Sequence, residues 1–178
     1  MTKNPDATEL LTHHAPRSTL QLRNRQRDRR LNLRFLRRVL THLLRGELGV
    51  TECELGFHFV SAAEMARVNW QFLQHEGSTD VITFDHGERS AVSGQRSAAM
   101  HGEAFICVAD AVKQAREFGT TWQSEVTRYA VHAVLHLRGY DDLQPAKRRV
   151  MKREENRLVR ALARRFNLLE LEKTPARE

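Results

Sequence analysis

The stretch Tyr129-Ala-Val-His132-Ala-Val-Leu-His136-Leu-Arg-Gly139 has helical spacing, is apolar on nearly every side and yet carries two histidines. A helix apolar all round belongs in the middle of its domain. Imidazoles carried inside with it need partners. Residues four apart lie on one helix face, so His132 and His136 aim at a common point. Gly139 lets the backbone leave the helix through a left-handed turn. The chain then folds back and brings Asp141 or Asp142 towards the same point. Two imidazoles and a carboxylate leave one position of a tetrahedral zinc open, which is the arrangement of a catalytic site rather than a structural one. The competing reading is a pair of packed, hydrogen-bonded helix histidines with no metal. With nine histidines in 178 residues, a bare His-x-x-x-His pair is weak. The glycine and the acid at their further spacings carry the metal reading.

A chain of 178 residues supports one domain with tails. The organisation expected is a loosely attached basic segment over residues 1–17, a single domain over 18–168 and a frayed tail over 169–178. No stretch is long and apolar enough to span a bilayer, and Met1 to Arg17 lacks the apolar core of a signal peptide, so a cytoplasmic location is expected. Cys53 and Cys107 sit singly in apolar runs and read as buried free thiols. The excess of 29 basic over 22 acidic residues is unevenly placed. Arginines crowd the segment from Arg17 to Arg45, and Lys and Arg crowd Lys147 to Arg165. Arginine forks suit phosphate, so the expected partner is a polyanion, most simply nucleic acid. A solvated helix face is the plainer alternative.

Thr19 to Arg25 alternates weakly and is expected to form a first strand. Asp28 is the expected cap of a helix carrying Leu31, Phe35, Leu36, Val39, Leu40, Leu43 and Leu44 on one face and arginines on the other, ended by Gly46 and Gly49. Cys53 to Val60 reads as a strand. Ser61 with Glu64 is a capping box opening a helix to Leu73. Thr79 to Phe84 and Glu103 to Val108 read as strands, separated by a Gly- and Ser-rich loop from Asp85 to His101. Helices follow over Ala109–Phe118, from about Thr121 or Ser124 through His136, and from Pro145 to Phe166. Strands early and helices late predict an α+β domain, a small mixed β-sheet covered by helices with the metal site on a central helix. Trp70 and Trp122 are expected to anchor the core. His75, His86 and His101 read as ordinary loop histidines.

The run His132-Ala-Val-Leu-His136-Leu-Arg-Gly139-Tyr140-Asp141-Asp142 resembles the pattern His-Gly-x-Leu-His-Leu-x-Gly-Tyr-Asp-His of the YbeY family of bacterial endoribonucleases. Thr79-Asp80-Val81-Ile82-Thr83-Phe84 resembles that family's Thr-Asp-Val-Leu-Ser-Phe strand, with Asn69 and Phe72 matching the helix before it. Gly102-Glu103-Ala-Phe-Ile106-Cys107 resembles a further strand. Met151 and Glu154-Glu155 match the last helix. The resemblance covers about residues 50–160. It implies a zincin-like fold holding one zinc ion on His132, His136 and Asp142. It also implies cleavage of single-stranded RNA, in 3′-end maturation of small-subunit (16S) ribosomal RNA and in ribosome quality control, with the ribosome or small-subunit assembly factors as partners.

Two departures matter. Asp142 stands where the family has its third histidine. Aspartate does ligate zinc, but its charge makes a bound water less acidic. Leu73 stands where the family usually has an arginine, and Arg138 is the candidate replacement. Zinc peptidases place a glutamate after the first histidine; Ala133 here argues against that class. Asp141 is a candidate to orient water or a histidine ligand. Thr79 and Asp80 either line the cleft and meet substrate or only cap the turn before their strand. Glu103 either neighbours the site or is an exposed strand residue. The rival functions are a non-cleaving, metal-stabilised RNA-binding assembly factor, motivated by Leu73, and a plain basic domain without metal.

Overall fold

The computed structural model describes residues 18–87 and 99–173. Strand β1 (Ser18–Asn24) leads into helix α1 (Leu33–His42), which continues as a π-helical turn over Leu43–Glu47. Then come β2 (Cys53–Val60), α2 (Ala62–Leu73), β3 (Val81–Asp85) and β4 (Met100–Cys107). Three helices complete the chain, α3 (Val108–Phe118), α4 (Trp122–Leu137) and α5 (Pro145–Arg165), before a 3-10 turn at Leu168–Leu171. The four strands lie in the order β1-β2-β4-β3. β1 and β4 run parallel to β2, and β3 runs antiparallel to β4. The architecture is therefore the mixed α+β domain expected, a small sheet with five helices. The segment 1–17 and most of the expected loop, residues 88–98, lie outside the described residues.

Alternation along the strands divides the sheet into two faces. Leu55, Phe57 and Phe59 of β2 and Ala104 and Ile106 of β4 join α1, α4 and α5 in the main core. Val60, Cys107 and Ile82 pack with Met65 of α2 in a smaller cluster on the other face. Within α4, Val126, Ala130, Val131, Ala133, Val134 and Leu135 are wholly buried, which makes it the central helix its composition requires. Both cysteines are free and buried, and burial pushes the Cys107 thiol up to about 12, so it is inert. No helix among the described residues is long and apolar enough to cross a membrane.

Local capping chemistry placed several boundaries. The Ser61 hydroxyl accepts from the Glu64 amide and opens α2, Thr121 does the same for Ser124 and α4, and Gly119 ends α3 in a left-handed conformation. Other boundaries differ from expectation. The cap of α1 is Asn32, not Asp28: its side chain accepts from the Phe35 amide and donates to the Glu170 carbonyl at 3.2 Å. The C-terminal segment that makes this contact is not frayed from 169. Leu171 is fully buried, and the Lys173 amide donates to the Arg30 carbonyl. Strand β4 starts at Met100 rather than Glu103 because Met100 and His101 pair with Cys53 and Glu54. Trp70 is not a core anchor. It is 54% exposed on the outer face of α2, whereas Trp122 packs against the core.

Gly102 locks α4 onto the sheet. A methyl group there would lie 2.6 Å from both a Leu137 methyl and the Phe84 carbonyl oxygen. The carbonyl belongs to a paired strand and cannot give way. Gly102→Ala is expected to cost about 1–3 kcal/mol and several degrees of Tm. A thermal melt unchanged by the substitution would contradict this packing.

Candidate metal centre

The last turn of α4 and the reversal after it build the site. Arg138 ends the helix, Gly139 takes φ +93°, and the Tyr140 amide returns to the Leu135 carbonyl at 3.0 Å. A positive φ of this kind suits glycine, which has no Cβ to clash. The reversal sets Asp142 beside the two histidines. One ligating atom from each of His132, His136 and Asp142 lies within 4.8 Å of the others. The two Nε2 atoms approach to 3.0 Å, and each stands 3.8 Å from an Asp142 carboxylate oxygen.

The far sides of both rings are committed. His132 Nδ1 meets Glu155 Oε2 at 3.0 Å, and His136 Nδ1 meets the Tyr140 carbonyl at 3.2 Å. A carboxylate and a carbonyl only accept, so each Nδ1 carries the proton and donates. Two neutral imidazoles held this way turn bare Nε2 lone pairs towards each other and towards a carboxylate. A proton shared between the two nitrogens, or a cation standing among the three groups, relieves that arrangement. The donor set, two imidazole nitrogens and one carboxylate, fits zinc or a similar divalent ion. Burial, and then the neighbouring His132, hold the His136 pKa below its usual value, which favours the neutral form that ligates.

Glu155 is the residue that sequence reasoning left without a role. It lies on α5, 3% exposed, and accepts from Arg128 Nη1 at 2.6 Å and Lys152 Nζ at 2.9 Å as well as from His132. Burial alone would raise its pKa, but the hydrogen bonds from His132, Lys152 and Arg128 outweigh it and hold it at about 2. Glu155 is thus a carboxylate at all ordinary pH and fixes the tautomer of His132. Arg148, Lys152 and Glu155 recur at helical spacing on one face of α5, a pattern that groups them without telling what that face meets. With Asp80, Arg128, His132 and Asp142 they line a cleft of about 350 Å³. Arg148 Nε also donates to the Asp142 carbonyl at 2.8 Å, bracing the reversal.

The other candidate residues fall as follows. The Asp141 carboxylate accepts from the Leu143 amide at 2.9 Å and from Lys147 Nζ at 3.0 Å, and these bonds lower its pKa. It braces the turn into α5, and the carboxylate that orients a histidine is Glu155 instead. Arg138 donates to the Leu48 carbonyl at 2.9 Å and does not line the cleft, so it does not replace the arginine absent at Leu73. Leu73 itself is half-exposed. Asp80 combines a place in the cleft wall with a capping bond. It lines the cleft, and its Oδ1 accepts from the Val81 amide at 2.9 Å and from the Thr79 hydroxyl at 3.0 Å. Thr79 reaches the cleft only through that bond. Glu103 faces away from α4, since its neighbour Gly102 faces Leu137. There it meets His58 at 3.1 Å and His86 at 3.7 Å. Asn69 holds the loop after α2 by donating to the Gly77 carbonyl at 3.0 Å.

Comparison with known proteins bears on the whole domain. A family model described as Endoribonuclease YbeY matches residues 21–163. The Endoribonuclease YbeY of Salinibacter ruber is 33% identical over 136 residues, which span 76% of this chain and 86% of that one. The protein of the same name from Chlorobium luteolum is 34% identical over 145 residues, spanning 82% and 98%. A solution structure of a Thermotoga maritima protein superposes with a TM-score of 0.60 at 21% identity, over 90% of this chain and 100% of that one, a likeness of fold. With most of its length matched by the family model and by relatives above 30% identity, this chain belongs to the YbeY endoribonuclease family.

Proposed function

We propose that this chain is a zinc-dependent endoribonuclease with a zincin-like site, cutting single-stranded RNA in the 3′-end maturation of 16S ribosomal RNA and in ribosome quality control in the cytoplasm. The observation that carries the metal reading is the opposed pair of histidine nitrogens 3.0 Å apart, each ring's other nitrogen already donating elsewhere. His132, His136 and Asp142 would hold one ion. When bound, it supplies Lewis acidity towards a phosphodiester oxygen.

The chain's own groups do the rest. Glu155 and the Tyr140 carbonyl aim the two imidazoles. Arg128, Arg148 and Lys152 face Asp80, Asp142 and Glu155 across the cleft, so its formal charges balance and a bound divalent ion would turn it positive, which suits the phosphodiester of an RNA strand. Asp80 sits in the same wall, where it can accept from a ribose or base donor. The relatives are named endoribonucleases, and the charge of the chain agrees with an RNA substrate and ribosomal partners.

Leu73 favours a second reading, a metal-braced RNA-binding assembly factor that does not cut. One experiment separates the two: cleavage of single-stranded RNA by the purified protein, with and without chelator. Cleavage that chelator abolishes and added zinc restores is the expected result. Equal cleavage in both conditions would remove metal dependence. RNA binding with no cleavage in either would leave the assembly-factor reading.

A further inference from the structure

A second concave surface lies between α1 and the end of α5, lined by Arg37, Arg38, Arg45 and Arg165 together with His42 and Phe166, and enclosing about 670 Å³. Helical spacing puts it there. Phe35, Leu36, Val39, Leu40 and Leu43 bury one face of α1 and its continuation, which leaves Arg34, Arg38 and Arg45 on the other.

Three observations set this surface apart from an ordinary charged face. First, its guanidiniums are unneutralised. Among the described residues Arg38, Arg45 and Arg165 make no hydrogen bond or ion pair, and Arg37 gives one bond, to the Leu20 carbonyl. Three arginines elsewhere are ion-paired, Arg25 with Glu64, Arg128 with Glu155 and Arg157 with Glu154, and none of them lines this hollow. Second, no acidic residue stands in the wall; the nearby Glu47 meets Arg157 at 3.2 Å and the wall's His42 at 3.7 Å, and none of the four arginines. Third, four like charges converge on a hollow instead of spreading over a convex surface, and two rings, His42 and Phe166, stand among them with centroids 5.5 Å apart. Gly46 makes room for this, since a Cβ there would lie 2.8 Å from the His42 ring. Arginine forks with aromatic rings between them are the chemistry that takes phosphates and bases of a nucleic-acid strand.

Arg165 follows Glu155 by ten residues, about 15 Å along the axis of α5. The hollow and the metal cleft therefore sit at different stations of one rigid helix. We propose that this hollow is a second RNA-binding subsite, holding backbone phosphates of the strand outside the segment that is cut. The proposal rests on RNA being the substrate. It adds that the enzyme grips a long strand at two places, so that affinity and cleavage have separate determinants.

The test compares the wild type with Arg38→Ala/Arg45→Ala/Arg165→Ala, whose replaced side chains hold nothing in the fold. Fluorescence anisotropy follows binding of a long labelled single strand over a range of salt, and cleavage of a tetranucleotide, too short to reach both surfaces, is measured alongside. Each lost phosphate contact lowers the slope of log K against log salt by about 0.7, so the triple variant is expected to lose about 2 from that slope and at least about tenfold in affinity at low salt. Tetranucleotide cleavage and Tm are expected to stay at the wild-type level. Equal affinity and equal slope in the two proteins would overturn the subsite. Loss of tetranucleotide cleavage at unchanged Tm would also overturn it, by assigning these arginines to the cleft. So would loss of binding to phosphatidylglycerol vesicles with RNA binding intact, which would make the hollow a membrane contact. A wild type that binds neither RNA would bring down the RNA reading itself, a failure distinct from one confined to the triple variant.

Discussion

His136→Ala is expected to fold and to cut single-stranded RNA at least about a hundredfold more slowly than the wild type, the scale of losing several kcal/mol of electrostatic stabilisation. The side chain is one of two nitrogens that face each other across 3.0 Å, and no other histidine comes within reach of Asp142 among the described residues. The stability readout depends on the metal. Without metal, His136→Ala removes the close Nε2 pair together with the bond from Nδ1 to the Tyr140 carbonyl, both near the surface end of α4. The chelated variant should therefore melt close to the chelated wild type, while only the wild type gains Tm on adding zinc. Single-turnover cleavage together with melts in zinc and in chelator checks both halves. Cleavage within a few-fold of wild type would contradict the role given to His136.

The second large effect concerns Glu155. Glu155→Gln keeps the size and loses the charge that Arg128, Lys152 and His132 share. Removing one partner of a buried ionic network leaves the others uncompensated, at a cost of about 3–5 kcal/mol. Loss of the carboxylate behind a metal-ligating histidine lowers metal affinity about 10–100-fold. The pH dependence follows from the lowered pKa. The folded value of about 2 lies below the ordinary 4.5, so the stabilisation is complete above about pH 4.5 and disappears as pH falls towards 2. The gap in Tm between wild type and Glu155→Gln should be constant near neutrality and close below pH 4.5. Melts across that range check it, and a gap that persists unchanged at low pH would contradict the network.

Local chemistry made much of this legible in the sequence. Ser61 with Glu64 opened α2, Gly119 ended α3 and Gly139 turned the chain, because each acts on backbone groups within a few residues. That His132 and His136 share a face and that Asp141 or Asp142 returns to them was legible for the same reason, since a helical turn and a reversal are short-range geometry; the family resemblance singled out Asp142. What stayed hidden depends on distant partners. Asn32 caps α1 with help from Glu170, and Met100 extends β4 because Cys53 lies opposite. Glu155 reaches His132 only because α5 packs across α4, and the spacing within either helix does not report that crossing. Asp141 was the nearer acid in sequence, but Lys147 and the Leu143 amide claim it. Arg138 follows the helix end towards Leu48 instead of the cleft. Trp70 looked like a core residue by type. Met65 and Asn69 bury the inner face of α2, and Trp70 lies on the other.

Elemental analysis of the untagged protein tests the centre most directly. One equivalent of zinc per chain in the wild type, falling to near zero in His132→Ala and in Asp142→Ala, is the result this account predicts. A wild type without stoichiometric metal after purification in zinc-containing buffer, or variants that keep the same metal-to-protein ratio, would contradict it.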